Sequence, residues 1–192
     1  LNTNTFLFQS GVPKRKILSF LNAFDKIAFL KTLTNEQPKP HPKPYLLFVG
    51  RLSPEKNLPA LMDLMKLLPI DLLIAGNGPL YEELTQKKQS EAIENVQLLG
   101  TVAWGSLANL YQHCEVLMLV STAETWGMVA NEAQELGKPV ICTVACGCAN
   151  DLVIDGKNGL VLSDITSQAN IDKVQQFLQD LPRRSEERRV GK

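Results

Sequence analysis

The sequence has little with which to do histidine or metal chemistry: two histidines (His41, His113) and four cysteines (Cys114, Cys142, Cys146, Cys148) among 192 residues. Cys142, Cys146 and Cys148 fall as C-x-x-x-C-x-C with no second ligand pair at zinc-finger spacing, so reduced, cytoplasmic thiols are the default. No D-x-D occurs, which leaves a carboxylate-held magnesium or manganese without an evident seat. No metal and no cofactor is therefore expected. The patterns G-x-x-x-x-G-K and G-x-G-x-x-G are also missing, which removes a P-loop and disfavours a dinucleotide-dependent oxidoreductase. A Ser-His-Asp triad has no support beyond composition. Neither sign of charge is in excess, since 20 Lys and Arg balance 20 Asp and Glu, so nothing is left over to neutralise the phosphates of a nucleic acid. No apolar run approaches the about 18 residues of a membrane span, and none is expected in this stretch.

What is present suits one ordinary folded domain. Apolar residues make up 44% and charged residues 21%, enough for a core and a solvated surface. The chain starts at Leu1 without methionine and shows no complete strand-helix unit in its first 44 residues, so it reads as a fragment entered partway. From Pro38 to Pro44 every second residue is proline, which fixes backbone angles, removes donors and predicts an extended, solvated linker marking a domain boundary. The last nine residues, 184–192, resemble the translation of a synthetic sequencing adapter. They are expected to be non-native and to carry no fold, and setting them aside leaves sixteen basic against eighteen acidic residues.

Between these ends, short continuous apolar runs predict strands at 45–49, 71–75, 96–99, 116–120 and 139–142, the pattern of strands buried on both faces. Apolar residues three or four apart predict helices at 58–68, 80–90, 106–113 and 127–136. Residues 156–159 read as a turn, and 164–180 as a last, more polar helix. Alternating strands and helices predict an α/β, Rossmann-like parallel sheet with helices on both faces, because parallel neighbours need a crossover connection. Such sheets take ligands beyond the carboxyl ends of their strands, where strand order reverses, so the informative residues should follow strands.

After the first strand, Gly50 permits a tight turn, and Arg51 and Lys56 precede a helix. They are either a clamp for a diphosphate or two solvated loop cations. After the fourth, Glu124 and Glu132 stand eight positions apart, and Glu132 lies on or beside the apolar face formed by Val129, Ala133 and Leu136. An ionised carboxylate there calls for a ligand hydroxyl or a charged partner. Gly127 lets another group approach the amides of Gly127, Met128 and Val129, which could receive phosphate oxygens. Gly76 belongs to a turn after the second strand, and the backbone of Thr101 and Val102, after the third, could read a flat base edge.

Taken together, Phe48-Val49-Gly50-Arg51-Leu52 with Lys56, Gly76-Asn77-Gly78-Pro79-Leu80, Leu99-Gly100-Thr101-Val102, the run from Glu124 to Ala133, and Gly137-Lys138-Pro139-Val140-Ile141 resemble family 4 of the retaining glycosyltransferases. The blocks match the C-terminal, nucleotide-sugar-binding half of that two-domain GT-B fold. Asn22-Ala23-Phe24-Asp25 resembles the segment entering this half. The resemblance implies residues 1–44 as remnant and linker, 45–183 as the donor-binding domain, and an acceptor-binding N-terminal domain as missing partner. It implies that Arg51 and Lys56 hold the diphosphate of a UDP- or GDP-sugar with help from the amides of Gly127 to Val129, that Glu124 meets the donor sugar and that Glu132 meets the ribose. Gly50, Gly76, Thr101 and Val102 would complete the donor site. The implied chemistry is metal-independent sugar transfer with retention, in polysaccharide or glycoconjugate synthesis, by a full-length protein that is cytoplasmic or peripheral at the cytoplasmic membrane face. The isolated fragment is expected to be inactive. Val120 departs from the family's usual proline, and Gln134-Glu135-Leu136 from its common M-A-C; neither is a proposed contact. The alternative is a non-catalytic nucleotide-binding or interaction module.

Overall fold

Each of the five apolar runs forms a strand in the computed structural model, which describes residues 10, 11, 13, 29, 31 and 38–190, with side chains as far as Leu181. The strands are β1 (Tyr45–Val49), β2 (Asp71–Ala75), β3 (Val96–Gly100), β4 (Val116–Leu119) and β5 (Val140–Thr143), joined by a sixth, β6 (Gly159–Leu162). All pair in parallel, in the order β3-β2-β1-β4-β5-β6. Helices α1 (Leu58–Met65), α2 (Tyr81–Ser90), α3 (Trp104–His113), α4 (Met128–Glu135), α5 (Ala149–Leu152) and α6 (Gln168–Val190) fill the crossovers and the end.

The run-on hydrophobicity of the strands has a direct structural use. Alternate residues point to opposite faces, so Leu46, Phe48, Leu72, Ile74, Val116 and Met118 join one core with α1, α2 and α6. Tyr45, Leu47, Leu73, Ala75, Leu117 and Leu119 join a second core with α3, α4 and α5. Removing each large apolar side chain from water contributes about 1.5–3 kcal/mol, which is why the central strands can spare no polar position.

Three expectations need correction. Of the turn expected at 156–159, residues 156–158 form it and Gly159 instead opens β6, whose Leu160 and Leu162 are buried in the first core. The last helix begins at Gln168, not Asp164, because the Asp164 carboxylate folds back to accept the backbone N–H groups of Thr166 and Ser167. It continues to Val190, through the segment expected to carry no fold; the Arg and Glu there have good helix propensity. The proline-rich stretch is exposed except at His41, whose Nε2 lies 2.7 Å from Asp71 Oδ2, and Asn109 Nδ2 donates to the Pro38 carbonyl at 3.0 Å. The stretch is therefore fastened to β2 and α3. The Asn22–Asp25 segment lies outside the described residues.

Candidate functional site

The order of the sheet reverses between β1 and β4, which run side by side while their outgoing chains turn to opposite faces. A crevice at the carboxyl ends of these two strands is what the topology dictates. The loops that rim it are tied to one another by their backbones. Gly50 donates to the Ala75 carbonyl at 3.0 Å, Gly76 to the Gly100 carbonyl at 2.8 Å, and Thr122 to the Glu55 carbonyl at 2.8 Å. The loops after β1, β2, β3 and β4 thus form one rim.

Two groups of the expected residues come together on it. Gly50, Arg51, Gly76, Thr101 and Val102 line one cavity of about 220 Å³, with Asn77 and Leu107 beside them. That volume lies below the ~300–1,000 Å³ of whole small-molecule pockets and suits a single planar ring. The Arg51 side chain is exposed and makes no salt bridge or hydrogen bond with a described residue, with Glu55 as a nearby charge, so its guanidinium can turn to meet an anion. On the β4 side, Lys56 and Glu124, 68 positions apart, form a close ion pair with both side chains under a fifth exposed. Lys56 is thus not a solvated loop cation.

Helix α4 opens at Gly127, whose φ of 94° is left-handed and whose Cβ, were there one, would lie 2.5 Å from Leu119 Cδ2. Ligand approach is the reason expected for this glycine; the structure adds backbone angle and close packing under the helix start. No described residue accepts a hydrogen bond from the amides of Gly127, Met128 or Val129. The first turn therefore keeps the donors that favour an anion.

Glu132, farther along α4, is 8% exposed, and its Oε2 accepts a 2.6 Å hydrogen bond from the Tyr111 hydroxyl on α3. Where a ligand hydroxyl or a charged partner was expected, the partner within the protein is a neutral phenol. Burial raises the Glu132 carboxyl above the ordinary range, with the Tyr111 hydrogen bond acting more weakly the other way. Burial first, and then the Glu132 charge, push the Tyr111 phenol well up, so it stays protonated and can only donate to the carboxylate.

A carboxyl whose pKa is higher folded than unfolded contributes most below its unfolded value, and that contribution is lost as pH rises through the folded value. Above its folded value the ionised Glu132 is thus a cost to the fold. Glu132→Gln is expected to melt a few degrees above wild type at pH 7.5, with the gap closing toward pH 4. Thermal melts across that range check it, and a variant less stable than wild type at pH 7.5 would contradict it.

A larger cavity, about 410 Å³, lies between α2 and the edge strand β3, lined by Tyr81, Lys88 and Gln97 among others. It is away from the strand ends and gathers none of the charged residues above. Among the described residues no group of three or more His, Cys, Asp and Glu is placed to hold a metal ion. The four cysteines are buried and free, and burial pushes the Cys114 and Cys148 thiols up to about 12.

A doubly wound parallel sheet with an exposed arginine, a Lys–Glu ion pair and open helix amides at its switch point is a Rossmann-like domain. The chain belongs to the glycosyl transferases group 1 family, whose family model matches residues 31–191. It is 34% identical to an uncharacterized glycosyltransferase of Methanocaldococcus jannaschii, over 60% of this chain and 32% of that one. It is 32% identical to a GDP-mannose-dependent alpha-mannosyltransferase of Corynebacterium glutamicum, over 72% and 32%. The chain thus spans about a third of the length of these curated relatives. Among solved structures it resembles Anabaena HepE, crystallised with UDP and glucose, at TM-score 0.72 and 25% identity, covering 93% of this chain and 51% of that one. The fold is accordingly of the GT-B glycosyltransferase type. No helix among the described residues is long and apolar enough to cross a membrane.

Sequence reasoning missed Tyr111. Inside an apolar helix it reads as a core aromatic, and only the packing of α3 beside α4 gives its hydroxyl a partner.

Proposed function

We propose that residues 45–183 are the donor-binding domain of a hexosyltransferase that moves a sugar from a nucleoside diphosphate to an acceptor held by a separate N-terminal domain, with retention at the anomeric carbon. The observation that carries this is the Lys56–Glu124 pair, held at the switch point beside the open amides of α4. Arg51 and Lys56 take the diphosphate, and the amides of Gly127, Met128 and Val129 add dipoles at the helix start. In this reading the two cations do the neutralising that a metal would do elsewhere, in keeping with a sequence that has no D-x-D. Glu124 accepts hydrogen bonds from donor-sugar hydroxyls while restraining Lys56. Glu132 does the same for the ribose, and Gly50, Gly76, Thr101 and Val102 wall the base.

Catalysis then rests on the leaving diphosphate. Charge builds on its oxygens as the glycosidic bond breaks, and fixed cations and dipoles stabilise that charge without reorganising; one such group is typically worth about 10²–10³ in rate. Residues 1–44 serve as the connection to the acceptor domain, and polysaccharide or glycoconjugate synthesis is the setting proposed. The chain alone is expected to bind nucleotide and transfer nothing.

Calorimetric titration of the chain with UDP, GDP and their hexose conjugates tests the reading. Saturable binding of one nucleotide series, lost in Glu132→Ala, is the expected result. A folded chain that binds neither series would overturn it.

A further inference from the structure

Glu132 is an awkward hydrogen-bond acceptor to aim. A glutamate side chain has three rotatable bonds, and fixing them in one geometry carries an entropic cost that a ligand must otherwise meet on arrival. The structure has already fixed them. The Tyr111 ring is fully buried and stands edge-on to Phe29, with centroids 5.8 Å apart, and its hydroxyl holds Glu132 Oε2 at 2.6 Å. The other oxygen, Oε1, receives no hydrogen bond from a described residue. Nor is it sealed in, for among the described residues the buried side-chain polar atoms without partners are Asn109 Oδ1 and Ser121 Oγ. One oxygen is anchored inward and the other is left open.

The chemistry of the anchor is informative. A lysine or arginine at this place would fix the carboxylate but also neutralise it, and would compete for the same lone pairs as a ligand hydroxyl. A phenol fixes it with one hydrogen bond and leaves the full negative charge available, which makes Oε1 a strong acceptor for hydroxyl groups. Tyr111 also lies one helical turn beyond Leu107, which lines the cavity at the strand ends, so α3 couples the wall of that cavity to the orientation of Glu132.

We infer that Tyr111 is a positioning residue that holds Glu132 with Oε1 directed at the ribose hydroxyls, and that this pair sets the preference for ribose over 2′-deoxyribose in the donor nucleotide. The inference rests on the reading above that Glu132 meets the ribose.

The test compares UDP with 2′-deoxy-UDP, and GDP with 2′-deoxy-GDP, by calorimetry on the full chain. Wild type is expected to bind the ribonucleotide about tenfold or more tightly than its deoxy counterpart. Tyr111→Phe, which removes one oxygen, should bring that ratio to within about threefold, mainly through weaker ribonucleotide binding. Glu132→Gln should lose the preference as well, and adding Tyr111→Phe to it should change the ratio no further. A merely structural tyrosine would weaken both nucleotides alike. A second readout needs no variant: with ¹³Cζ-labelled tyrosine, the Tyr111 resonance should move on binding the ribonucleotide and move less with the deoxy form. Wild-type preference that survives Tyr111→Phe, or a Tyr111 resonance unmoved by bound ribonucleotide, would overturn the positioning role alone. A wild type without preference, or one whose preference survives Glu132→Gln, would overturn both this inference and the reading of Glu132 beneath it.

Discussion

Lys56→Ala is expected to weaken nucleoside-diphosphate binding by about a hundredfold, and Lys56→Ala combined with Glu124→Ala is expected to weaken it less. The first half follows from a charge-assisted hydrogen bond, worth about 1.5–3 kcal/mol, lost against a diphosphate. The second follows from the geometry. Lys56 and Glu124 are both under a fifth exposed and pair directly across the β1 and β4 loops. Removing the ammonium alone leaves a half-buried carboxylate with no counter-charge, facing the place where a second anion must bind. Removing both groups takes that repulsion away, so the double variant should recover roughly tenfold of the lost affinity. The two substitutions are therefore non-additive, as contacting groups should be. Calorimetry on the two single variants and the double one checks the coupling. If the double variant binds as poorly as the product of the two singles, the pair does not share the diphosphate site.

The Lys56–Glu124 pair also shows what was legible in the sequence and what was not. Each residue stood out as a charge following a strand, next to glycines. That they touch was not readable, because it depends on β4 lying against β1 and not against β3, a consequence of packing the whole sheet. Strands β1, β2, β4 and β5 were visible as apolar runs, since a strand covered on both faces has no polar alternation to confuse the signal, whereas β3, expected to be buried on both faces too, is an edge strand that buries only Val96 and exposes Gln97. β6 was not visible, because its first residue is Gly159, which reads as a turn. A Cβ there would sit 1.9 Å from the Val140 carbonyl oxygen, so the glycine marks a close approach of strands. Glu132 was legible as a carboxylate in an apolar stripe. Its partner was not, because Tyr111 lies 21 positions away and a helical tyrosine announces burial but not where its hydroxyl goes.

Gly76→Ala carries the largest expected effect on the fold, and its reason lies in the rim of the site. Gly76 has φ of 146°, where side-chain-bearing residues are rarely found, and a Cβ on it would fall 1.8 Å from the Gly50 carbonyl oxygen. That neighbour is backbone, so no rotamer change relieves the clash. Either the β2 loop withdraws, breaking the Gly76 hydrogen bond to Gly100, or the β1 loop does, breaking the Gly50 hydrogen bond to Ala75. Strain plus a lost buried hydrogen bond sums to about 4 kcal/mol, at the upper end of single substitutions. In a chain of this size that lowers the melting temperature by about 8–16 °C. Gly105→Ala is the matched control. It lies in α3 with nothing within 4 Å of its would-be Cβ, so the same chemical change should raise the melting temperature slightly, through helix propensity alone. Calorimetric melts of both variants decide the matter. Equal, small shifts would show that the loops after β1 and β2 can part without loss. The expected opposite signs would show that the close approach of Gly50 and Gly76 is what keeps Arg51 and the cavity wall in one place.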